Sequence, residues 1–245
     1  MTSLTGKIAF VTGGSRGIGA AIVRRLAANG ATVAFTYVSA HDRALELAAS
    51  IDAAGGHALP LRADSADAQA LRQAIAGVAA QFGRIDILVN SAGILIHKDL
   101  AETTLEDYDR IAAVNVRALF VATQAAAPHM RDGGRIVNIG SMVADRAGSP
   151  GVALYAMSKA AVAGLTRGLA RDLGPRGITV NNVQPGPTET EIVTDESVRA
   201  YLRAQIPVGR MGQDAEIAGL VAYLVGNEAG YVNGASLTID GGFVA

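Results

Sequence analysis

The chain has 245 residues, half of them hydrophobic and 18% charged, with a formal net charge of −1. That composition supplies a large core and argues against disorder, and its balanced charge offers nothing to a nucleic acid polymer or an anionic membrane. The absence of cysteine excludes disulfides, thiolate zinc sites and a cysteine nucleophile. The four histidines (His41, His57, His97, His129) show no metal-ligand spacing, so no metal site is expected. The first apolar run is too short for a signal peptide or a membrane span, which makes a cytoplasmic protein the expectation.

In chain order, the first predicted strand is KIAFVT (7–12), followed by a helical pattern over 18–28 with Arg24 and Arg25 facing outward. TVAFTY (32–37) is the second strand and 41–54 the second helix. HALPLRA (57–63) precedes a helix over 67–81 with an acidic first turn, and IDILVN (85–90) is the fourth strand. A long helix is expected over 105–130, then GRIVNIG (134–140), a helix over 155–173 stopped by Gly174-Pro175, ITVNNVQ (178–184), a helix over 214–225 and SLTID (236–240). Near-continuous apolar strands are covered on both faces, and their alternation with helices predicts an α/β fold: a doubly wound, seven-stranded parallel sheet of Rossmann type. No linker interrupts it, so residues 1–245 read as one domain. The irregular, polar stretch 186–213 has the length of a functional lid.

VTGGSRGIGAA (11–21) joins the first strand to the first helix with Gly13, Gly17 and Gly19 in a G-x-x-x-G-x-G pattern. Residues without Cβ allow the tight turn and let backbone approach a diphosphate, which the free N–H groups of the helix start then bind. The second strand ends at Tyr37-Val38-Ser39 with no carboxylate for a ribose 2′-hydroxyl. Arg16 inside the turn, with Ser39, His41 and Arg43 after the strand, suits a 2′-phosphate instead, so NADP(H) is preferred over NAD(H).

YAMSK (155–159) places Lys159 one helical turn from Tyr155. A neutral tyrosine has a pKa near ~10, and a neighbouring ammonium favours its phenolate, so the pair can serve as a general acid/base. On its own the spacing is common on solvated helix faces. Ser141, fourteen residues upstream, and Asn90 stand where strands end, and ligands bind beyond such ends in open α/β sheets.

With TGGSRGIG (12–19), Asp64, NSAG (90–93), Asn115, Ser141, YAMSK and PGPTET (185–190) in this order, the chain resembles the short-chain dehydrogenase/reductase family over nearly its whole length. The resemblance implies that Tyr155 exchanges a proton with a substrate oxygen, that Ser141 hydrogen-bonds that oxygen, and that Lys159 contacts the nicotinamide ribose and lowers the tyrosine pKa. Asn115 would hold a water joining Lys159 to solvent. Cofactor contacts are implied for Gly13, Ser15, Arg16, Gly17, Ile18 and Gly19, for Tyr37, Ser39, Asp64 and Ser65, for Asn90, Ala92 and Gly93, for Pro185, Gly186, Thr188 and Thr190, and for Tyr155 and Lys159 themselves. Hydride transfer would interconvert a carbonyl and an alcohol on a small neutral substrate. A homotetramer is expected, with the alanine-rich faces of the long helices (Ala122, Ala125, Ala126; Ala160, Ala163, Gly164) pairing between copies.

Two features depart from the family pattern. Ser91 stands at the second position of N-N-A-G, and the Ser141–Tyr155 interval is one residue longer than in many members, within the loop 142–154. Ile94, Leu95, Met142, Val143, Val152 and Leu154 are candidates for an apolar substrate wall. The 3-oxoacyl-carrier-protein reductase branch is similar too, but it requires a basic face, for which only Arg117 and Arg131 stand out. The 183–190 and 141–148 stretches also resemble members linked to biofilm dispersal. That makes a regulator binding a cyclic dinucleotide, with Arg146 on its phosphate, the alternative reading.

Overall fold

The computed structural model describes residues 3–191 and 195–245. Residues 192–194, part of the expected lid, lie outside the described residues. Seven parallel strands form one sheet: Ile8–Thr12 (β1), Thr32–Tyr37 (β2), His57–Arg62 (β3), Ile85–Asn90 (β4), Met130–Ile139 (β5), Thr179–Pro185 (β6) and Ser236–Ile239 (β7). Their order is β3-β2-β1-β4-β5-β6-β7, with every pair parallel. The helices are Gly17–Ala28 (α1), His41–Ala53 (α2), Ala68–Phe82 (α3), Leu105–Ala112 (α4), Ala118–Ala126 (α5), Ala153–Leu173 (α6), Glu196–Gln205 (α7) and Asp214–Leu224 (α8).

Alternation along the strands sorts the side chains into two cores. Ala9 and Val11 of β1 face α1, α2 and α8 with Phe35, Ile87 and Val89, and Ile22, Leu26, Leu47 and Val221 pack onto them. Ile8 and Phe10 point the other way, toward α3, α5 and α6, among Leu71, Ile75, Val121 and Ile178. Each large side chain so enclosed contributes about 1.5–3 kcal/mol relative to exposure. All five residues of β1 are buried, as a strand covered on both faces requires.

Several expectations need correction. The helix expected over 105–130 is interrupted by a π-helical turn at Ala113–Arg117 and ends at Ala126. Its stretch Leu105–His129 is long and apolar enough to cross a membrane, yet more than half of its most apolar window is buried inside the protein. β5 starts at Met130, before the glycines that mark a loop in sequence, because Met130 pairs with Ile85 across an irregularity in the ladder. The polar stretch after residue 186 is not irregular throughout, since it contains α7. Asp67 caps α3 rather than lying in its first turn, accepting from the amides of Gln69 and Ala70. Arg24 is exposed as expected, but Arg25 is half-buried. Ala122, Ala126 and Ala163 turn into the chain's own core, which leaves Ala160 and Gly164 on the outer face.

Strand order reverses between β1 and β4. Crossovers leave in opposite directions there, which opens a crevice beyond the C-terminal ends of β1 and β4.

Candidate active site

The crevice is walled by the glycine turn. Gly13 has φ +67°, and a Cβ there would lie 2.8 Å from the Cα of Ala92. A Cβ on Gly19 would lie 2.1 Å from the Gly13 carbonyl oxygen. Two threonines that sequence reasoning passed over fix this turn. Thr36 Oγ1 accepts from the Gly13 amide at 3.1 Å, and Thr12 Oγ1 accepts from the amides of Ser91 and Ala92 at 3.0 and 3.1 Å. The hydroxyl of Thr12 thereby ties the end of β1 to the NSAG turn, and the Asn-to-Ser change at position 91 leaves that backbone contact in place. The N-cap of α1 is Arg16, whose side chain makes no capping hydrogen bond. Ser15, Gly17 and Ile18 border the turn half-buried, and Ile18 packs against the core beneath.

Past β2, Ser39 and Arg16 are exposed. The Tyr37 hydroxyl is 2.7 Å from His41 Nδ1, so both groups already have a partner. Arg43 lies 2.7 and 2.8 Å from the two carboxylate oxygens of Glu191. Past β3, exposed Asp64 accepts from the Ala66 amide at 2.8 Å and Ser65 is buried. Asn90 donates to Asn138 Oδ1 at 2.9 Å, and Asn138 donates to Thr166 Oγ1 at 2.9 Å. The carboxamide oxygen of Asn90 is buried without a hydrogen-bond partner. Pro185 ends β6. Gly186 follows against Asp240, where a Cβ would come within 2.5 Å of the aspartate Cβ. The Thr188 hydroxyl donates to the Gly186 carbonyl at 2.9 Å. The Thr190 methyl lies 3.6 Å from the position of a Cβ on Gly17. A cavity of about 490 Å³ opens there, lined by Gly17, Glu189, Thr190, Glu191, Arg199 and Asp214.

The catalytic candidates converge past the C-terminal ends of β4 and β5. β5 ends at Ile139, and Ser141 caps the 3-10 turn Met142–Ala144, its Oγ accepting from the Val143 amide at 3.2 Å. The same hydroxyl lies near enough to the Tyr155 phenol to favour its phenolate. Lys159, 5% exposed, donates to the Ile139 carbonyl at 2.8 Å, and its Nζ stands 5.5 Å from the centre of the Tyr155 ring. A Cβ on Gly93 would meet Lys159 Nζ at 3.5 Å and Asn115 Oδ1 at 3.6 Å, ordinary contact distances, so Gly93 stands directly against both groups.

Asn115 sits in the π-helical turn, where the extra residue per turn re-aims its side chain. It accepts from the Ile94 amide and donates to the Ile94 carbonyl, each at 2.9 Å, and donates to Ser158 Oγ at 3.0 Å. Ser158 in turn donates to the Tyr155 carbonyl at 2.8 Å. Ser158 is a further residue the sequence reading missed, although helical spacing sets positions 155, 158 and 159 on adjoining faces.

The electrostatics run against one expectation. Burial pushes the Tyr155 phenol above its ordinary value, and the nearby Ser141 hydroxyl only partly opposes this. Burial also pulls Lys159 down to about 8. The ammonium is bonded to a carbonyl rather than to the phenol, so desolvation of both groups outweighs their attraction. Among the substrate-wall candidates, Met142 packs into a cluster with Ile206, Met211 and Phe243, and Val152 is also buried. Leu95 is exposed. Arg146 donates to the Phe243 carbonyl at 3.4 Å.

A glycine cradle at a topological switch point, with a buried lysine beside a tyrosine and a serine, defines a dinucleotide-dependent oxidoreductase. A family model described as enoyl-(acyl carrier protein) reductase matches residues 13–244. The chain belongs to the short-chain dehydrogenase/reductase family, NAD(P)-dependent enzymes acting on CH–OH groups. Over 246 aligned residues, covering 100% of each chain, it is 46% identical to the cyclic-di-GMP-binding biofilm dispersal mediator protein of Escherichia coli K12. A short-chain dehydrogenase/reductase from Serratia marcescens superposes with a TM-score of 0.96 at 58% identity, covering 99% of each chain. A short-chain dehydrogenase from Burkholderia cenocepacia in complex with NADP does so with 0.96 at 52% identity, again over 99% of each.

Proposed function

We propose that the protein is an NADP(H)-dependent reductase of small neutral ketones or aldehydes, running in reverse as an alcohol dehydrogenase. The observation that carries this is the convergence of Ser141, Tyr155 and Lys159 beside the glycine cradle. The cradle a Cβ would fill and the orphaned oxygen of Asn90 are consistent with a bound dinucleotide. When bound, the cofactor supplies or accepts hydride at its nicotinamide ring. Ser141 holds the substrate oxygen by hydrogen bond. Tyr155, kept neutral by burial, gives its phenolic proton to that oxygen during reduction and recovers it from the alcohol during oxidation. Lys159 keeps a positive charge below the ring, which stabilises the phenolate left behind.

A neutral substrate is supported by the pairing of the surrounding charges. Glu189 meets Arg199 and Arg203, Glu196 meets Arg203, and Lys98 meets Asp107. An acyl-carrier partner is less favoured, because among the described residues the two arginines considered for its basic face lie apart. Arg131 lies at the N-terminal end of β5, away from the crevice, whereas Arg117 reaches the Ala66 carbonyl at 3.5 Å on the crevice side. The test is a panel of carbonyl compounds followed by nicotinamide absorbance with NADPH and NADH in parallel. No turnover of any neutral carbonyl by pure protein overturns the reading.

The 46% identical relative named as a cyclic-di-GMP-binding protein favours a second reading, a regulator on the same scaffold. Calorimetric titration of cyclic di-GMP into wild type and Arg146→Ala decides it, since the regulator requires binding that persists in Tyr155→Phe. The assembly we propose is a cytoplasmic homotetramer. Exposed Leu105, Tyr108, Phe120 and Met157 on α4, α5 and α6 supply the apolar face for pairing. A monomeric mass by light scattering contradicts it.

A further inference from the structure

We infer that Glu191 tunes cofactor preference by competing, through its carboxylate, with a ribose 2′-phosphate for the guanidinium of Arg43. The inference rests on the NADP(H) reading and adds a residue that neither the glycine turn nor the β2 end contains.

Arg43 lies in the first turn of α2, reached directly from the C-terminal end of β2. In a doubly wound sheet the adenosine ribose lies beyond that strand end. Among the described residues, the basic side chains at this edge include Arg16, Arg43, His41 and Arg62, which ends β3 beside Tyr37. The His41 ring is held by the Tyr37 hydroxyl at 2.7 Å, and Arg16 is exposed. Arg43 is bound in bidentate fashion by one nitrogen to both oxygens of Glu191, 148 residues away in sequence. Glu191 directly follows Thr190, whose methyl lies 3.6 Å from the Cβ position of Gly17. The ion pair therefore runs from the lip of the phosphate cradle to the start of α2, across the edge where the ribose substituent must sit.

Both side chains are more than half exposed, at 56% and 59%, so the pair itself is weak and readily exchanged. A phosphate dianion is the stronger partner for a guanidinium. A dinucleotide with a free 2′-hydroxyl leaves the pair intact and gains nothing from Arg43. One with a 2′-phosphate takes Arg43 over and leaves the Glu191 carboxylate beside it as a like charge. Glu191 thus lowers affinity for the phosphorylated cofactor alone.

The experiment is a double-mutant cycle of dissociation constants for NADPH and NADH, by nicotinamide fluorescence on the full chain without substrate. Glu191→Gln is expected to tighten NADPH roughly threefold and Arg43→Gln to weaken it roughly tenfold, with NADH unchanged in both. In the Arg43→Gln background, Glu191→Gln is expected to have no effect. An equal change for both nucleotides, no change for either, or an effect of Glu191→Gln that survives without Arg43 overturns the inference. Equal affinity of wild type for NADPH and NADH overturns the underlying cofactor reading instead, and is read from the unmutated protein.

Discussion

The Nζ of Lys159 stands 5.5 Å from the centre of the Tyr155 ring while donating its 2.8 Å hydrogen bond to the carbonyl of Ile139. The lysine is held under the tyrosine by a backbone acceptor in β5, and its charge is kept where little water reaches it. That arrangement costs stability. The folded-state pKa of about 8 lies below the ordinary 10.5, so the unfolded chain binds more protons between those values and stability rises with pH across that window. Below pH 8 the cost is fully present, about 3 kcal/mol. Lys159→Met is therefore expected to be more stable than wild type in urea at pH 7, by less than that amount because the Ile139 carbonyl loses its donor. The advantage should vanish toward pH 10.5. A variant less stable than wild type at both pH values removes the argument.

The same titration is expected to govern the rate. With Lys159 losing its proton near pH 8, kcat/KM for carbonyl reduction is expected to fall on the alkaline side of about pH 8. Lys159→Arg retains a charge across this range, so its profile should lose that limb even where the absolute rate is lower. A limb that stays in place in Lys159→Arg assigns the titration to another group.

Tyr155→Phe deletes the phenolic hydroxyl, the proposed proton donor, and leaves the ring. Carbonyl reduction is expected to fall roughly 10²–10⁴-fold. NADPH affinity and the unfolding midpoint should stay close to wild type, because burial already keeps the phenol neutral in the folded state. Turnover within a few-fold of wild type, measured with the best substrate of the carbonyl panel, excludes Tyr155 as the proton donor.

The sheet was legible because buried parallel strands write themselves as apolar runs. β2 and β4 fall on the expected residues, and β1 differs by one residue at its start. The start of β5 was not legible, because MRDGG reads as a turn and only the partner strand at Ile85 makes it extended. The π-helical turn around Asn115 was hidden for a related reason. AVNVR has no breaker, and its register is set by the bonds Asn115 makes to Ile94 and Ser158. α7 escaped because its face is mostly polar and exposed; Asp195 caps it with two amide bonds. Tyr155, Lys159, Ser141 and Asn90 were visible as motif residues. Their supporting hydroxyls, Thr12, Thr36 and Ser158, were not, since a buried serine or threonine reads in sequence like any other.

Ser158 is where that support can be measured. It is fully buried, accepting from Asn115 and donating to the Tyr155 carbonyl. Ser158→Ala strands the Asn115 amide donor and removes a second bond to the helical Tyr155 carbonyl, a loss of about 1–3 kcal/mol in unfolding free energy. Asn115→Ala strands the Ile94 amide and carbonyl as well, so about 3 kcal/mol or more is expected. The two share one hydrogen bond, and the double variant should lose less than the sum by about 1 kcal/mol. A positioning role also requires kcat to fall in Ser158→Ala while NADPH affinity is unchanged, because Tyr155 shifts and the glycine cradle does not. Additive losses in urea, with kcat untouched, make Ser158 a packing residue and nothing more.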